Sequence, residues 1–441
     1  MIDDSRGLSL TTSSADAAAA FDHTVDGYLS TAVDTGERLK ALYGADAGMP
    51  MADVLKGYFF MLMAVPALKA KAQGIMDGLG DRLAAMSGRE CGHAMAMNAW
   101  AHGHTDEALA RWETILLDHP QDILALRLAH HGYFYRGDSQ NLRDVVARVM
   151  HAWDTDVPGY GYVLGMRAFG LEETHAHDAA IAAGEQAVAL LPENPWAIHA
   201  VAHVYEMTDR PAEGIAWLTD NEPGWTGANN FRYHVWWHRA LMRLDRGEYD
   251  EVLALYDETL WDPASDEYLD LCNDVALLMR LELHGIDVGD RWQALAEKCK
   301  GRKADGILTF VDAHFALALA AVGAGETAGA LEVQRALAET GGDDNAAVIQ
   351  AVGLPLAEGL AAYKEGAFGR AVDLLAPVRY ELPRIGGSHA QRDLFAMILL
   401  DAAIRDGRVN LARSLAAERL CRMPDNAWTH AAYDRAFADA D

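Results

Sequence analysis

The sequence contains few cysteines and few basic residues for its length, and little of the alternation that β-strands require. Its four cysteines, Cys91, Cys272, Cys299 and Cys421, lie far apart in 441 residues and form no CxxC pair. This spacing argues against a zinc ribbon, a thioredoxin-type motif and a dense disulfide framework. It favours reduced thiols in a reducing compartment.

Basic residues are strongly outnumbered, with 37 Lys and Arg against 65 Asp and Glu and a formal net charge of −28. Phosphate backbones and anionic membrane surfaces both attract clustered Lys and Arg, so we expect neither a nucleic-acid nor a membrane partner. The longest apolar run, from Tyr58 to Leu68, is too short to cross a bilayer. The acidic N-terminus lacks the order of a signal peptide, and these features together predict a cytoplasmic protein.

What fills the sequence instead is helical periodicity, with Ala, Leu, Glu and Arg recurring at helical spacing. A small residue, a turn Gly or Asp seven positions later and another small or aliphatic residue recur about every 34 residues; Ala240, Gly247 and Val252 are one copy. This pattern resembles the tetratricopeptide repeat, in which small residues let two helices approach and Gly permits the turn. We place units at 89–122, 123–156, 161–194, 195–228 and 233–266, with less regular copies near 311–344, 352–385 and 393–426.

The predicted fold is therefore all-α, a right-handed α-solenoid of tetratricopeptide-type helix hairpins. We predict four segments: non-consensus capping helices at 1–88, repeats with a His- and Trp-rich concave face at 89–266, an irregular helical connection at 267–310, and further repeats at 311–441.

Three stretches carry a closer resemblance: Asn194–Met207, Phe231–Asp257 and Gly386–Asp393. Through these stretches the chain resembles the tetratricopeptide repeat protein 38 family, and the resemblance covers the chain nearly end to end. That family is known mainly by its fold, so the resemblance implies architecture more strongly than activity.

The first helices of successive repeats carry an unusual concentration of histidine and tryptophan. By resemblance to tetratricopeptide repeats, fixed positions of each first helix face the concave groove. These positions hold Arg127, His131, Trp196, His199, His203, Glu206, His234, Trp237 and His238. Because neighbouring helices pack at roughly 8–10 Å between axes, we expect His131, His203, Glu206, His234 and His238 to converge on one cavity.

Three interpretations of this cluster stay open. Two i, i+4 histidine pairs, His199 with His203 and His234 with His238, match the ligands of Zn²⁺ or a related divalent ion. Alternatively, His203, Glu206 and His234 would be the catalytic groups of metal-free acid–base chemistry. In the third interpretation, the rings pack between helices or line a peptide-binding groove.

The stretch GGSHAQRD is a separate candidate. Gly386 and Gly387 interrupt the chain, and Ser388 is a plausible N-cap for the helix that follows. The side chains of His389 and Arg392 then either form a local polar turn or reach the mouth of the groove.

The function predicted from the sequence is binding of a small molecule or peptide in a concave pocket. The predicted ligand-binding residues are Arg127, His131, Trp196, His199, Trp237, His238, His389 and Arg392. The alternative is an enzyme that uses the groove histidines for hydrolysis or elimination on a small organic substrate, with or without a divalent metal. Whether the protein forms a homo-oligomer stays open.

Overall fold

The computed structural model describes residues 1–303 and 305–438. The chain divides into two compact units. The N-terminal unit comprises residues 1–201 and 221–232, and the C-terminal unit comprises residues 202–220 and the chain from residue 233 onward.

The N-terminal unit begins with two short antiparallel strands, in which Ile2 pairs with Leu10. The strands are β1 (Ile2–Asp3) and β2 (Ser9–Leu10). The helices that follow are α1 (Ala15–Leu29), α2 (Thr35–Ala45), α3 (Pro50–Leu62), α4 (Pro66–Gln73), α5 (Ile75–Leu79), α6 (Gly88–Ala101), α7 (Thr105–Asp118), α8 (Ile123–Arg136), α9 (Ser139–Val149), α10 (Tyr160–Glu172) and α11 (His177–Leu190), with 3₁₀ turns at Gly80–Ala85, Met150–Ala152 and Glu222–Gly224.

Helices α12 (Pro195–Met207) and α14 (Phe231–Asp245) contribute residues to both units. The remaining helices belong to the C-terminal unit. They are α13 (Pro211–Asp220), α15 (Tyr249–Leu255), α16 (Tyr268–Leu283), α17 (Arg291–Arg302), α18 (Thr309–Val322), α19 (Ala324–Thr340), α20 (Asp344–Val348), α21 (Leu354–Lys364), α22 (Phe368–Val378), α23 (His389–Arg405), α24 (Val409–Leu420) and α25 (Ala427–Ala438), with π-helical turns at Tyr256–Leu260 and Ile349–Gly353 and a 3₁₀ turn at Leu382–Ile385.

The predicted repeats coincide with helical hairpins. In the described residues, each of the eight predicted units holds two consecutive helices, from α6 and α7 in the first to α23 and α24 in the last. The turn positions behave as expected: Gly247 adopts φ +73°, and Asp209 occupies the same left-handed region with φ +57°. The all-α prediction is confirmed.

Two sequence features explain how the hairpins pack. Helix α9 buries Leu142, Val145, Val146 and Val149, which lie at i, i+3, i+4 and i+7 and so form one apolar stripe. On α11, a Cβ at Gly184 would lie 2.3 Å from the side chain of Val201, so only glycine allows this approach of the helices. Small residues therefore set the helix spacing, as the repeat pattern predicts.

Other sequence-based predictions about the chain as a whole stay predictions. The four predicted segments begin and end where the repeat pattern does, whereas the two compact units are groups of residues in mutual contact. The limits of the units therefore leave the segment boundaries as predictions. One described stretch, Asp344–Lys364, is long and apolar enough to span a membrane. Its apolar window is 67% buried within the protein, which is common in core helices of soluble proteins. The absence of a membrane partner stays untested.

Candidate functional site

The residues predicted to line the groove fall into both units. Arg127, His131, Trp196 and His199 belong to the N-terminal unit, and His203, Glu206, His234, Trp237, His238, His389 and Arg392 belong to the C-terminal unit. The convergence predicted between the two sets stays a prediction, and so does a metal site that includes His199.

In the N-terminal unit, the predicted residues form an aromatic cluster. The guanidinium carbon of Arg127 lies 3.8 Å from the ring centroid of Trp196, a cation–π contact. The ring of His199 lies 5.1 Å from that of Phe231 and 5.6 Å from that of Phe169. Burial, together with the charge of Arg127, lowers the pKa of His131 to about 3. The His131 ring is therefore neutral at physiological pH.

A second polar group of the N-terminal unit is a matched network around His93. Its Nε2 lies 3.0 Å from Oδ2 of Asp122, which also accepts a 2.8 Å hydrogen bond from the guanidinium of Arg89. The hydroxyl of Tyr58 lies 3.2 Å from Nδ1 of His93. Burial alone would raise the pKa of Asp122, but the neighbouring positive charges outweigh it and hold this pKa well below its usual range.

In the C-terminal unit, three buried imidazoles meet. Nε2 of His238 lies 3.2 Å from Nε2 of His234, one helical turn away on α14. The ring of His203, on α12, lies 4.2 Å from that of His238 between centroids. One ring nitrogen of each histidine lies within 4.8 Å of the others. We call His203, His234 and His238 the histidine trio.

In two members of the trio, Nδ1 contacts a polar side chain on a neighbouring helix. Nδ1 of His238 lies 2.6 Å from Oε2 of Glu206 on α12. Nδ1 of His234 lies 3.0 Å from Oδ1 of Asn273 on α16. Such outer contacts fix the tautomer and the orientation of an imidazole.

Two members of the trio, His203 and His234, are uncharged at neutral pH because they lie away from water. Burial lowers the pKa of His234 to about 4. Burial, with the charges of His234 and His389, lowers the pKa of His203 as well. Burial and the nearby Asp245 raise the pKa of Glu206 well above its ordinary value.

A cleft adjoins Glu206, and its residues all belong to the C-terminal unit. Its empty volume, including the part open to solvent, is about 450 Å³. The charged residues that line it are Glu206, Asp245, Arg280, Asp393 and Arg419. Apolar walls come mainly from Leu241, Leu244, Met397 and Trp428.

The charges in this cleft are incompletely matched. Arg419 pairs with Asp393, and Arg280 donates to the carbonyl of Ala390 at 2.7 Å. Asp245 makes no ion pair with any described residue. Burial, with the charges of Asp209 and Asp393, raises its pKa to about 7. We call this site, defined by the five charged residues, the acidic cleft.

Most residues of the acidic cleft were not among the sequence-predicted site residues. Asn273 and Arg280 both lie on α16, in the segment predicted to be an irregular connection. The signal available was Arg280, which follows the apolar stretch VALLM, since a charged residue in a buried helix requires a partner.

The GGSHAQRD stretch behaves as a cap. The hydroxyl of Ser388 accepts from the backbone N–H of Gln391, whose side chain in turn accepts from the N–H of Ser388 at 2.9 Å. Arg392 donates to the carbonyl of Gly387, so it braces the turn. Asp393, the next residue, is partly buried and pairs with Arg419. Ligand binding by His389 and Arg392 stays a prediction.

No protein-family model matches the sequence. Similar solved structures include the APC/C hetero-tetramer Cut9-Hcn1, at 12% identity over 95% of this chain and 76% of that chain with a TM-score of 0.41. The human IFIT1 dimer with m7Gppp-AAAA is 13% identical over 98% and 91% of the two chains, with a TM-score of 0.38. The P58(IPK) TPR domain is 13% identical over 80% and 89%, with a TM-score of 0.23. These likenesses concern the fold alone, which is all-α with tetratricopeptide-type helix hairpins.

Proposed function

We propose that this chain is a cytoplasmic protein of the tetratricopeptide repeat protein 38 family that binds a small molecule in the acidic cleft. The ligand carries a protonated nitrogen, as an amine, a guanidine or an amino acid does. The cleft combines charged side chains with apolar walls, which is the kind of lining that small-molecule sites have.

The observation that carries this proposal is the carboxyl group of Asp245, which lines the cleft and makes no ion pair with a described residue. Three carboxyl groups line the cleft, from Glu206, Asp245 and Asp393, against two arginines. An unpaired carboxylate in a buried site is costly, and a cationic ligand supplies the missing charge. Arg280, which is 3% exposed, is positioned to accept a carboxylate if the ligand is zwitterionic.

The test is isothermal titration calorimetry with a panel of putrescine, agmatine, lysine and glycine, beside acetate and succinate as anionic controls. We expect at least one cationic probe to bind. Asp245→Asn should weaken that binding about 30-fold, which corresponds to ~2 kcal/mol for one partner of a buried charge pair. The matched control is Asp220→Asn, an exposed aspartate of the same unit, which should bind as the wild type does.

The same titration has a predicted pH dependence. Because the pKa of Asp245 is about 7, its carboxylate becomes ionised between pH 6 and 8, and affinity for a cation should rise over that interval. Of the other groups that line the cleft with Asp245, His284 is neutral because burial lowers its pKa to about 4, and Glu206 has a pKa that burial raises. Binding of the anionic probes alone, or of no probe, would overturn the proposal.

A second candidate function is acid–base catalysis, favoured by the hydrogen-bonded chain from Glu206 through His238 and His234 to Asn273. Such a chain holds and passes protons. Incubating each bound probe with the protein and recording its NMR spectrum separates the two functions. An unchanged probe supports a binding protein, whereas conversion that stops in His238→Gln supports an enzyme.

A further inference from the structure

The two Nε2 atoms of His234 and His238 face each other at a distance suited to a metal. They lie 3.2 Å apart. With Zn–N bonds of about 2.0–2.1 Å and tetrahedral angles, two ligating nitrogens lie about 3.3–3.4 Å apart. The pair therefore needs a shift of only a few tenths of an ångström to bind one ion.

The outer contacts set the tautomers that metal binding requires. Oδ1 of Asn273 accepts a hydrogen bond, so Nδ1 of His234 carries the proton and its Nε2 carries a lone pair. Glu206 does the same for His238 when its carboxyl group is ionised, the state that a nearby bound cation favours. Two lone pairs at this distance repel each other, and a cation between them removes the repulsion. A carboxylate or amide behind a ligating imidazole is the usual second layer of a metal site.

His203 completes a three-nitrogen set. Its ring nitrogen lies within 4.8 Å of those of His234 and His238, and it is fully buried. Three imidazoles that come from two helices leave a fourth position for water or a ligand, which is the arrangement of catalytic rather than structural zinc sites.

We infer that His203, His234 and His238 bind one divalent transition-metal ion of the zinc class, with Glu206 and Asn273 orienting two of the ligands. This inference does not rest on the proposed function, because the acidic cleft binds its ligand through Asp245 whether or not the trio is loaded. The fourth ligand His199 predicted from the sequence stays a separate prediction.

The test uses the full chain without an affinity tag, dialysed against a chelator and then titrated with ZnCl₂ or CoCl₂. We expect one ion per chain by elemental analysis after desalting, and visible d–d bands of tetrahedral Co²⁺. His234→Ala and His238→Ala should lose the ion. Glu206→Gln should keep the ligands but weaken the affinity about 10–100-fold. His104→Ala, which alters an exposed histidine, is the matched control and should bind as the wild type does.

Circular dichroism shows whether each variant is folded. Glu206→Gln tests the site in a variant that keeps all three proposed histidine ligands. Two outcomes would overturn the inference. One is a folded wild type that binds no stoichiometric ion, which assigns the trio to a proton-bridged, metal-free chain. The other is an ion that persists in both folded histidine variants, which locates the binding elsewhere. Neither outcome affects the amine titration, so failure here is distinguishable from failure of the proposed function.

Discussion

The two units both bury histidine beside a carboxylate, but they match these groups differently. In the N-terminal unit, Asp122 neutralises Arg89 and contacts His93, and the hydroxyl of Tyr58 lies beside the other imidazole nitrogen. In the C-terminal unit, imidazole faces imidazole across the pair His234 and His238.

This difference separates stabilising groups from candidate functional groups. A buried network whose charges and hydrogen bonds are matched stabilises a fold, whereas a mismatched one lowers stability and is typical of a site that binds something. By that criterion, we interpret the His93 network as structural and propose the histidine trio and the acidic cleft as functional sites.

The largest expected effect comes from breaking the matched network. Asp122→Ala leaves the charge of Arg89 buried and removes the N-cap of α8. We expect it to lower the free energy of unfolding by about 3–5 kcal/mol, measured by urea denaturation at pH 7. Asp118→Ala, an exposed aspartate at the end of α7, is the control. A decrease of less than about 1 kcal/mol in the free energy of unfolding would mean that the His93 network stabilises the protein no more than an exposed ion pair does.

Substitution of Asp245 in the acidic cleft should raise the stability of the protein, whereas substitution of Asp122 lowers it. Folding raises the pKa of Asp245 from 3.8 to about 7. The folded protein therefore favours the protonated carboxyl group, and it loses stability as the pH rises through that interval and the group ionises. Asp245→Asn should therefore raise the melting temperature at pH 8 by about 2–4 °C and leave it unchanged near pH 3.5. Asp220→Asn corrects for the general effect of reducing the negative charge. Equal shifts in the two variants at pH 8 would mean that Asp245 is not strained by its neighbours.

The smallest expected effect concerns a feature that the units share. Capping boxes begin α6, through Ser87 and Glu90, and α23, through Ser388 and Gln391. Ser87→Ala and Ser388→Ala should each lower the free energy of unfolding by about 1 kcal/mol. Ser414→Ala, in which an exposed hydroxyl bonds only to the preceding turn, should cost less. A cost at Ser388 several times that at Ser87 would indicate that GGSHAQRD does more than cap its helix.

The sequence was a good guide to the hairpins and to the proximity of the trio. Helical spacing predicted that His203, His234 and His238 lie near one another, because residues within one helix and in adjacent repeats follow the local period. It could not identify Asn273 or Arg280, because these lie in α16, where the repeat pattern fails, and their contacts join residues far apart along the chain. Pairing of Asp393 with Arg419 instead of Arg392 likewise depends on tertiary packing.

The most direct test of the account is crystallographic, with anomalous diffraction recorded above and below the zinc absorption edge from crystals of zinc-loaded protein. We predict one edge-dependent peak at about 2.0–2.1 Å from a ring nitrogen of each trio member. A peak elsewhere, or none between Nε2 of His234 and Nε2 of His238, would contradict the account.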